Sequence, residues 1–293
     1  MSHSVSVVIP CKNEQDTIGK VIDGLLGTYP EFEIIVVNDG STDNTATVLE
    51  QYSDVTVITH NHSLGNGAAI KSGSRAANND VLLFMDADGQ HNVDQISKLL
   101  ENLNPGYDMV VGSRTSSGQA TKTRTIGNII YNKIASFITN HKVKDLTSGF
   151  RAVYRDKFME FISLLPNGFS YPTTITMAFF RTGYTVKYID IHVADRVGKS
   201  HLSVFKDGIR FFIIIFKVAT LYSPLKLIAP ISIMIFLSGL GLYAYNYIQY
   251  QNFTNMSLLL LLSSVIIFII GLLSEQVTTI TYLLIQNRNN LDS

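Results

Sequence analysis

Two aspartates separated by one small residue, Asp86 and Asp88, are the residues whose spacing points most directly to chemistry. They follow an apolar run, Val81 to Met85, that is typical of a fully buried strand. Two carboxylates at a strand end can hold a hard divalent cation, whose oxygen shell is completed by water and by the phosphates of a ligand. Such a cation neutralises the charge that develops on a departing diphosphate. The alternative is a pair of solvated loop carboxylates that lead into a helix starting near Asn92.

Polar residues also follow three other predicted strands. These segments are Pro10 to Glu14, Asn38 to Ser41 and Gly112 to Arg114. In a parallel α/β sheet the ligand lies beyond the carboxyl ends of the strands, so we expect the polar groups to converge on one edge. Asn38-Asp39-Gly40 is also a good turn sequence, and the alternative is that Asp39 merely stabilises the turn.

The elements that must position these residues alternate between β-rich runs and helical patterns over residues 1 to about 200, which indicates an α/β fold with a parallel sheet covered by helices. The predicted strands are Ser4–Pro10, Glu33–Asn38, Val55–Thr59, Val81–Met85 and Asp108–Val111. The predicted helices are Asp16–Leu26, Thr42–Tyr52, Gly67–Ala77 and Val93–Leu103. Asp16, Ser41 and Asn92 are candidate N-caps.

A glycine-rich stretch, Gly65 to Lys71, invites comparison with nucleotide-binding loops. It is not a Walker A motif, because Ile70 occupies the position of the second required glycine. It is not the dinucleotide fingerprint either, because the third glycine is missing and the stretch follows the third strand. We expect the start of a helix close to the ligand.

The C-terminal part of the chain is apolar and carries no charged residue from Leu227 to Ser274. Two runs, about 227–247 and 258–280, are each long enough to cross a hydrocarbon layer of about 30 Å as a helix. The alternative is a buried helical hairpin in a soluble core. Soluble helices of this length carry a polar face, however, and these runs do not. We therefore predict two transmembrane helices.

The flanking charges predict an orientation. Basic residues precede the first span and follow the second: Lys206, Arg210, Lys217, Lys226 and Arg288. The link Asn246 to Ser257 contains no lysine or arginine, so the positive-inside rule places the catalytic domain and both termini of this multi-pass protein in the cytoplasm. Ser203 to Tyr222 mixes apolar and charged residues and is predicted to be an interfacial helix. The alternative is an ordinary helix packed on the globular domain.

Composition excludes several classes of protein. The 293 residues include 23 basic and 23 acidic side chains, and this zero net charge argues against a nucleic-acid partner. The single cysteine excludes a disulfide framework and a multi-cysteine zinc site.

The order and spacing of the motifs resemble glycosyltransferase family 2. The motifs are Val8-Ile9-Pro10 with Asn13-Glu14, Val37 to Ser41, Asp86 to His91, Gly112 to Arg114 and Asp145 to Arg151. Within it, the chain more closely resembles the polyprenyl-phosphate glycosyltransferases, the group of dolichyl-phosphate mannose synthase and bacterial two-span undecaprenyl-phosphate sugar transferases. Arg196 to Ser200 and Gly271 to Glu275 add to this resemblance.

The resemblance implies a GT-A-type, Rossmann-like domain that binds a nucleotide-sugar. The implied nucleotide-sugar contacts are Pro10, Glu14, Asp39, Ala87 and Gln90. The implied ligands of Mg²⁺ or Mn²⁺ are Asp86, Asp88 and Gln90. Arg114 joins the two aspartates as a catalytic residue, and Arg124, Arg196 and Lys199 would bind the lipid phosphate. The alternative for these basic residues is simple contact with lipid headgroups.

The function implied by the resemblance is a metal-dependent, inverting transfer of a sugar from a UDP- or GDP-sugar to undecaprenyl or dolichyl phosphate on the cytoplasmic leaflet. A lipid phosphate is already anionic and needs no general base, and no late strand-end acid in this sequence demands one. Direct in-line attack on the anomeric carbon is therefore expected.

The expected organisation is a catalytic domain (1–202), a juxtamembrane amphipathic helix (203–226), two transmembrane helices (227–285) and a cytoplasmic tail (286–293). Related enzymes make a homo-oligomer plausible. The alternatives are a transferase with a saccharide or protein hydroxyl acceptor, and a catalytically inactive membrane scaffold. A processive polysaccharide synthase is disfavoured because it would need a tryptophan-containing motif and the sequence has no tryptophan.

Overall fold

The computed structural model describes residues 4–103, 106–114, 122–168, 170–193, 216, 220 and 222–292, without the side chains of 122–128, 130 and 285–292. The chain divides into two compact units, residues 1–208 and 209–293. The first is an α/β domain and the second contains two long apolar helices.

The first unit is built on a seven-stranded sheet with the order β3-β2-β1-β4-β6-β5-β7. The strands are β1 Val5–Cys11, β2 Glu33–Asn38, β3 Thr56–Thr59, β4 Val81–Phe84, β5 Met109–Arg114, β6 Arg151–Tyr154 and β7 Val186–Ile191. Strands β1 to β4 form the predicted parallel sheet, but β6 runs antiparallel to both of its neighbours. The expectation of a wholly parallel sheet is therefore wrong, and β6 and β7 were not predicted.

The direction of β6 follows from where the chain re-enters the sheet. The segment before it lies at the carboxyl edge of the parallel strands, since Asp145 contacts Arg114 and Gly149 lies against Asp86. A strand that begins at this edge must run back across the sheet, opposite to β4 and β5.

Helices cover the sheet. They are α1 Ile18–Thr28, α2 Thr45–Leu49, α3 Asn66–Ala76, α4 Ile96–Leu103, α5 Lys122–Thr139, α6 Arg155–Glu160 and α7 Tyr171–Arg181. The predicted cap at Asn92 is confirmed, because a short 3₁₀ helix, Val93–Gln95, leads directly into α4 and the Asn92 Oδ1 accepts a hydrogen bond from its Asp94 N–H at 3.0 Å. The predicted caps at Asp16 and Ser41 are wrong, since α1 and α2 begin later. Ser41 instead accepts a hydrogen bond from the Asn13 N–H.

The core lies between the central strands and the helices. The spacing of three and four residues places one apolar face of α1 and α4 against the sheet. The buried residues of these two faces include Ile18, Ile22, Leu25, Ile96, Leu99 and Leu103. Burying each such side chain contributes about 1.5–3 kcal/mol relative to leaving it in water. This packing fixes the strands whose ends carry the candidate site residues.

The second unit contains α8 Pro224–Tyr250 and α9 Asn255–Asp292. Both include windows long and apolar enough to span a membrane, with mean hydropathy 2.0 and 2.8, and only 11% and 17% of those windows are buried. This exposure differs from that of a soluble core helix. The described part of the predicted interfacial helix is limited to residues 216, 220 and 222, so that prediction lies outside the described residues.

Small and polar residues hold the two apolar helices together. A Cβ on Gly239 would lie 2.9 Å from the Leu260 Cβ, which shows how closely the helices approach. The Ser232 hydroxyl donates to the Ser264 carbonyl at 3.1 Å. The helices thus form an internally packed hairpin.

The first charged residue after the apolar stretch has a defined role at the start of α8. The Glu275 carboxylate accepts hydrogen bonds from the Ser223 hydroxyl at 3.1 Å and from the Leu225 N–H at 3.2 Å. The first N–H groups of a helix lack partners within the helix. A carboxylate of α9 therefore caps the N-terminus of α8.

Candidate active site

The carboxyl end of β4 presents Asp86 in a half-buried position. Its side chain is 40% exposed, and its Oδ2 lies 3.8 Å from the His91 Nε2. The His91 ring is stacked on Phe150, with centroids 4.7 Å apart. A Cβ added to Gly149 would lie 3.2 Å from the Asp86 Oδ2, so the backbone of Gly149 sits directly against the carboxylate. Neighbouring groups therefore set the position of Asp86 while part of the side chain stays open.

Asp88 lies in the turn that follows. Its Oδ1 accepts a hydrogen bond from the Gln90 N–H at 3.1 Å, and Gly89 makes the turn with a φ of +70°. Asp88 and Gln90 are half-buried, whereas Ala87 between the aspartates is buried. The structure thus brings the predicted metal-binding residues into one short turn.

The donors in this turn fit a hard divalent cation, because carboxylate and amide oxygens are the ligands that Mg²⁺ and Mn²⁺ prefer. Within the described parts of the chain, no group of three or more His, Cys, Asp or Glu side chains is close enough together to hold a metal ion. A cation here would need further oxygen atoms from water or a ligand. That is the arrangement expected from Asp86, Asp88 and Gln90.

Asp39, at the end of β2, has a different environment. It is only 3% exposed, and four donors contact its carboxylate. They are the His60 Nδ1 at 2.7 Å, the Ser63 hydroxyl at 2.7 Å, and the N–H groups of Leu64 and Gly65 at 2.8 and 2.9 Å. Burial alone would raise the pKa of Asp39, but these hydrogen bonds lower it to about 2. Asp39 thus stabilises the loop 60–65 rather than its own turn, where the Asn38 Oδ1 accepts from the Ser41 N–H at 3.1 Å, and its predicted nucleoside contact stays a prediction.

The loop around Asp39 needs a glycine next to it. Gly40 has a φ of +62°, and a Cβ there would lie 2.7 Å from the Ser63 N. His60 extends the network, since its Nε2 lies 2.9 Å from the Ser72 hydroxyl of α3. The hydrogen bonds of Asp39 and His60 therefore connect three elements on one side of the candidate site: the end of β2, the loop after β3, and helix α3.

The ends of β1 and β2 are joined by reciprocal hydrogen bonds. The Asn13 N–H donates to the Ser41 Oγ at 3.0 Å, and the Asn13 Oδ1 accepts from the Thr42 N–H at 2.8 Å. The Glu14 N–H donates to the Thr45 Oγ1 at 2.9 Å. Asn13 holds a left-handed conformation with a φ of +55°. The backbone that carries the predicted nucleoside contacts Pro10 and Glu14 is therefore fixed by the chain itself.

Arg114, at the end of β5, forms a two-pronged ion pair with Asp145. Its Nε and Nη2 donate to the two carboxylate oxygens at 2.8 and 3.0 Å, and Nη2 also donates to the Thr147 hydroxyl at 2.7 Å. Burial alone would lower the pKa of Arg114, but Asp145 raises it above its usual value. Burial would likewise raise the pKa of Asp145, but the contacts with Arg114 lower it. The negative charge of Asp86 also raises the pKa of Arg114, so the charged groups at the ends of β4 and β5 interact electrostatically.

Asp145 was missed as a site residue by sequence reasoning. Its signal was the motif Asp145 to Arg151, which contributed only to the resemblance. The contact with Arg114 joins residues 31 positions apart, and no local pattern indicates it.

The glycine-rich stretch packs against another segment of the same chain. A Cβ on Gly67 would lie 2.1 Å from the Pro166 carbonyl oxygen, and the Ala68 N–H donates to the Asn167 carbonyl at 3.1 Å. Lys71 donates to the Leu165 carbonyl at 3.1 Å. The N-terminus of α3 therefore packs against the loop before α7, and the expectation that this helix start lies close to a ligand stays a prediction.

Three predicted basic residues fall outside what can be placed. Arg124 lies in α5, but its side chain is not among those described, and Arg196 and Lys199 lie outside the described residues. Their roles stay predictions.

The chain matches two family profiles. Residues 6–162 match glycosyl transferase family 2, and residues 223–280 match the GtrB C-terminal hairpin. Similar curated proteins include glycosyltransferase AglJ of Haloferax volcanii, 27% identical over 83% of this chain and 80% of the relative. Polyprenol monophosphomannose synthase of Mycolicibacterium smegmatis is 28% identical over 67% of this chain and 80% of its own length.

The fold of the first unit is similar to solved structures. Glucosyl-3-phosphoglycerate synthase from Mycobacterium tuberculosis, in complex with Mn²⁺, uridine diphosphate and phosphoglyceric acid, superposes with a TM-score of 0.59. The identity is 20%, and the match covers 74% of this chain and 79% of that chain. At this identity the likeness shows the fold, which is a GT-A-type mixed sheet. Since the family profile covers more than half of the chain and its motifs meet at one sheet edge, the chain belongs to glycosyl transferase family 2 and is a glycosyltransferase.

Proposed function

We propose that the protein is a membrane-bound glycosyltransferase that moves a sugar from a nucleotide-sugar to a polyprenyl phosphate. One observation carries this proposal: the chain joins a family 2 catalytic edge, with Asp86 partly open, to a hairpin of two exposed apolar helices. An enzyme with a soluble acceptor has no need of such a hairpin. Relatives named for polyprenol and undecaprenyl phosphate support the acceptor class.

The donor is a UDP- or GDP-sugar bound at the ends of β1, β2 and β4. Pro10, Glu14 and Asp39 lie on the segments that form the nucleoside side, and Ala87 and Gln90 belong to the turn that faces the diphosphate. The Mycobacterium tuberculosis neighbour was solved with uridine diphosphate, which supports a nucleotide at this edge.

The metal site consists of Asp86, Asp88 and Gln90. Bound Mg²⁺ or Mn²⁺ would supply neutralisation of the charge on the leaving diphosphate. The oxygen donors of the turn and the Mn²⁺ in the neighbour's complex support this assignment.

The chain's own residues position an acceptor that is already charged. A phosphate oxygen attacks the anomeric carbon in line, while the bond from that carbon to the diphosphate breaks and the diphosphate leaves with the electron pair. The configuration is thereby inverted. Arg114 stays protonated beside Asp145 and stabilises the negative phosphate groups, and Arg124, Arg196 and Lys199 bind the lipid phosphate. No side chain has to remove a proton.

The topology follows from the flanking charges. The catalytic domain (1–202), the amphipathic helix (203–226) and both termini lie on the cytoplasmic side, and the link between α8 and α9 lies outside. A homo-oligomer is part of the proposal.

The test is a transfer assay with the full chain in nanodiscs that contain a polyprenyl phosphate. UDP- and GDP-sugars are supplied with Mg²⁺ or Mn²⁺, and sugar in the lipid fraction is measured. Asp88→Asn is expected to abolish metal-dependent transfer, whereas Asp94→Asn, an exposed carboxylate six residues along, should behave as wild type.

The outcomes separate the alternatives. If a nucleotide-sugar binds but no sugar reaches the lipid, the acceptor is a hydroxyl group and the proposal is wrong. If no nucleotide-sugar binds, the protein is a scaffold. A product with retained anomeric configuration contradicts the in-line mechanism.

A further inference from the structure

Arg151, the first residue of β6, is entirely buried and is the largest fully buried side chain in the described structure. In the sheet it pairs with Phe84 of β4 and Val111 of β5. These are the two strands that lead to Asp86 and Arg114. Arg151 thus lies between the strands that present the two charged ends of the candidate site.

All of the hydrogen-bond acceptors recorded for this guanidinium are neutral. Its Nη1 donates to the Pro172 carbonyl and to the Thr176 hydroxyl, both at 3.1 Å, and its Nη2 donates to the Ser148 carbonyl. The Nε is buried and has no partner among the described residues. Within that same set, no carboxylate lies within ion-pair distance of Arg151.

A buried cation surrounded by neutral groups is costly, and an apolar side chain of similar volume is often a more stable choice. Burial lowers the pKa of Arg151, and this effect is opposed first by Tyr171 and Tyr188 and then by Asp145 and Asp86. Tyrosine side chains are neutral at physiological pH, so the negative charges in this set are those of the two acids. Both acids belong to the candidate site. The balancing negative charge therefore lies at the catalytic edge, at a distance, and not in direct contact.

The same guanidinium fixes the turn that touches both charged groups. The Ser148 carbonyl, which accepts from Arg151, precedes Gly149, whose backbone lies against the Asp86 carboxylate. One residue earlier, the Thr147 hydroxyl accepts from Arg114. A shift of this turn would move the surroundings of both side chains.

We propose that Arg151 is a positioning residue that acts as the buried counter-charge of the catalytic edge. It holds the Asp145–Gly149 turn against Asp86 and Arg114, and it offsets from inside the protein the negative charge that Asp86 and Asp145 place there. The proposal rests on the metal and diphosphate site assigned above. It predicts that removing the charge has opposite effects on a cation and on an anion bound at this edge.

The charge is tested with Arg151→Lys and Arg151→Met in the full-length protein in nanodiscs. Lysine keeps the positive charge but loses the planar guanidinium that donates to several acceptors, whereas methionine loses both. The difference in ligand binding between the two variants therefore measures the effect of the charge. Relative to Arg151→Lys, Arg151→Met should bind Mn²⁺ several-fold more tightly and UDP or GDP several-fold more weakly. If Arg151 had a purely structural role, Arg151→Met would bind both ligands more weakly. The counter-charge role is overturned if Arg151→Met binds Mn²⁺ as tightly as Arg151→Lys or more weakly.

The positioning role is tested without altering the arginine. Thr176→Val removes one acceptor of the guanidinium. The control is Thr182→Val, directly after the C-terminus of the same helix. Each of the two hydroxyls donates to the carbonyl four residues earlier, Thr176 to Pro172 at 2.7 Å and Thr182 to Ala178 at 3.0 Å, but Thr182 does not contact the guanidinium. Thr176→Val should lower kcat several-fold with little change in the KM for the nucleotide-sugar, and Thr182→Val should leave both unchanged.

Equal kinetics for the two threonine variants overturn the positioning role, and this result stands even if neither Arg151 variant folds. Failure of the proposed function looks different. In that case the wild-type protein itself binds neither Mn²⁺ nor UDP nor GDP, and both proposals fall together.

Discussion

The ends of β2 and β4 each present an aspartate at the same edge of the sheet, yet the two carboxylates have opposite surroundings. Asp39 is 3% exposed and accepts four hydrogen bonds from its own chain. Asp86 keeps 40% of its side chain exposed, with His91 at 3.8 Å. The two residues come from similar local sequences, since each follows an apolar strand and precedes a turn.

This difference separates a carboxylate that builds a site from one that is open to a ligand. The donors around Asp39 satisfy its charge and fix the loop from His60 to Gly65. The oxygens of Asp86 retain room for a cation or a bound ligand. A carboxylate at a strand end is therefore a candidate metal ligand only when the fold has not already supplied partners for its oxygens.

The largest effect is expected from Asp86→Asn. With the metal role proposed for Asp86, losing this carboxylate should lower kcat/KM by about 100-fold or more, because metal stabilisation of the transition state is worth several kcal/mol. The thermal unfolding midpoint should change little, since Asp86 is partly exposed. Steady-state kinetics and thermal unfolding of the same preparation check both statements. A large loss of stability would show that Asp86, like Asp39, has a mainly structural role, and would contradict the comparison.

Asp145→Asn should have an intermediate effect on activity and a marked effect on stability. Breaking a buried ion pair by removing one partner costs about 3–5 kcal/mol, because the other charge stays behind without compensation. Arg114 keeps part of its side chain exposed, so the lower end of that range is expected. Denaturant unfolding measures the loss. The matched variant Asp190→Asn removes the exposed partner of Lys144 and should cost less than about 1 kcal/mol.

Asp39→Asn should mainly reduce stability, by about 2 kcal/mol. The amide can accept from some of the four donors but leaves at least one buried partner unsatisfied. Ser63→Ala, which removes a single donor, should cost less. Nucleotide affinity measured on the folded variant tests whether Asp39 also contacts the nucleoside. Unchanged stability would contradict the comparison.

The smallest expected effect is a difference in acid sensitivity. The pKa of Asp39 is about 2 in the folded protein, below the ordinary value of 3.8 that applies to the unfolded chain, so its contribution to stability is present above pH 4 and is lost as pH falls toward 2. Asp39→Asn should remove this part of the pH dependence. Unfolding midpoints of both proteins between pH 5 and pH 2 measure it, and parallel curves would show that the hydrogen bonds do not favour the ionised form.

Local sequence signals were sufficient where one segment determines the result. The apolar run before Asp86 predicts a buried strand with an acidic end, and the charge-free stretch after Leu227 predicts two long apolar helices. Local signals were not sufficient where contacts between distant segments determine the structure. β6 is antiparallel because its chain returns from the site edge, and Gly67 is required by the backbone of Pro166 far along the sequence. No neighbouring residues encode those contacts.

The reciprocal bonds between Asn13 and the Ser41-Thr42 segment have a practical consequence for exchanging these loops with those of relatives. The loops after β1 and β2 form one hydrogen-bonded unit, although 28 residues separate Asn13 from Ser41. A chimera that exchanges only one of them with a relative would separate Asn13 from its partners Ser41 and Thr42. Grafts that transfer residues 11–17 and 38–45 together are the ones expected to retain the hydrogen bonds between the two loops.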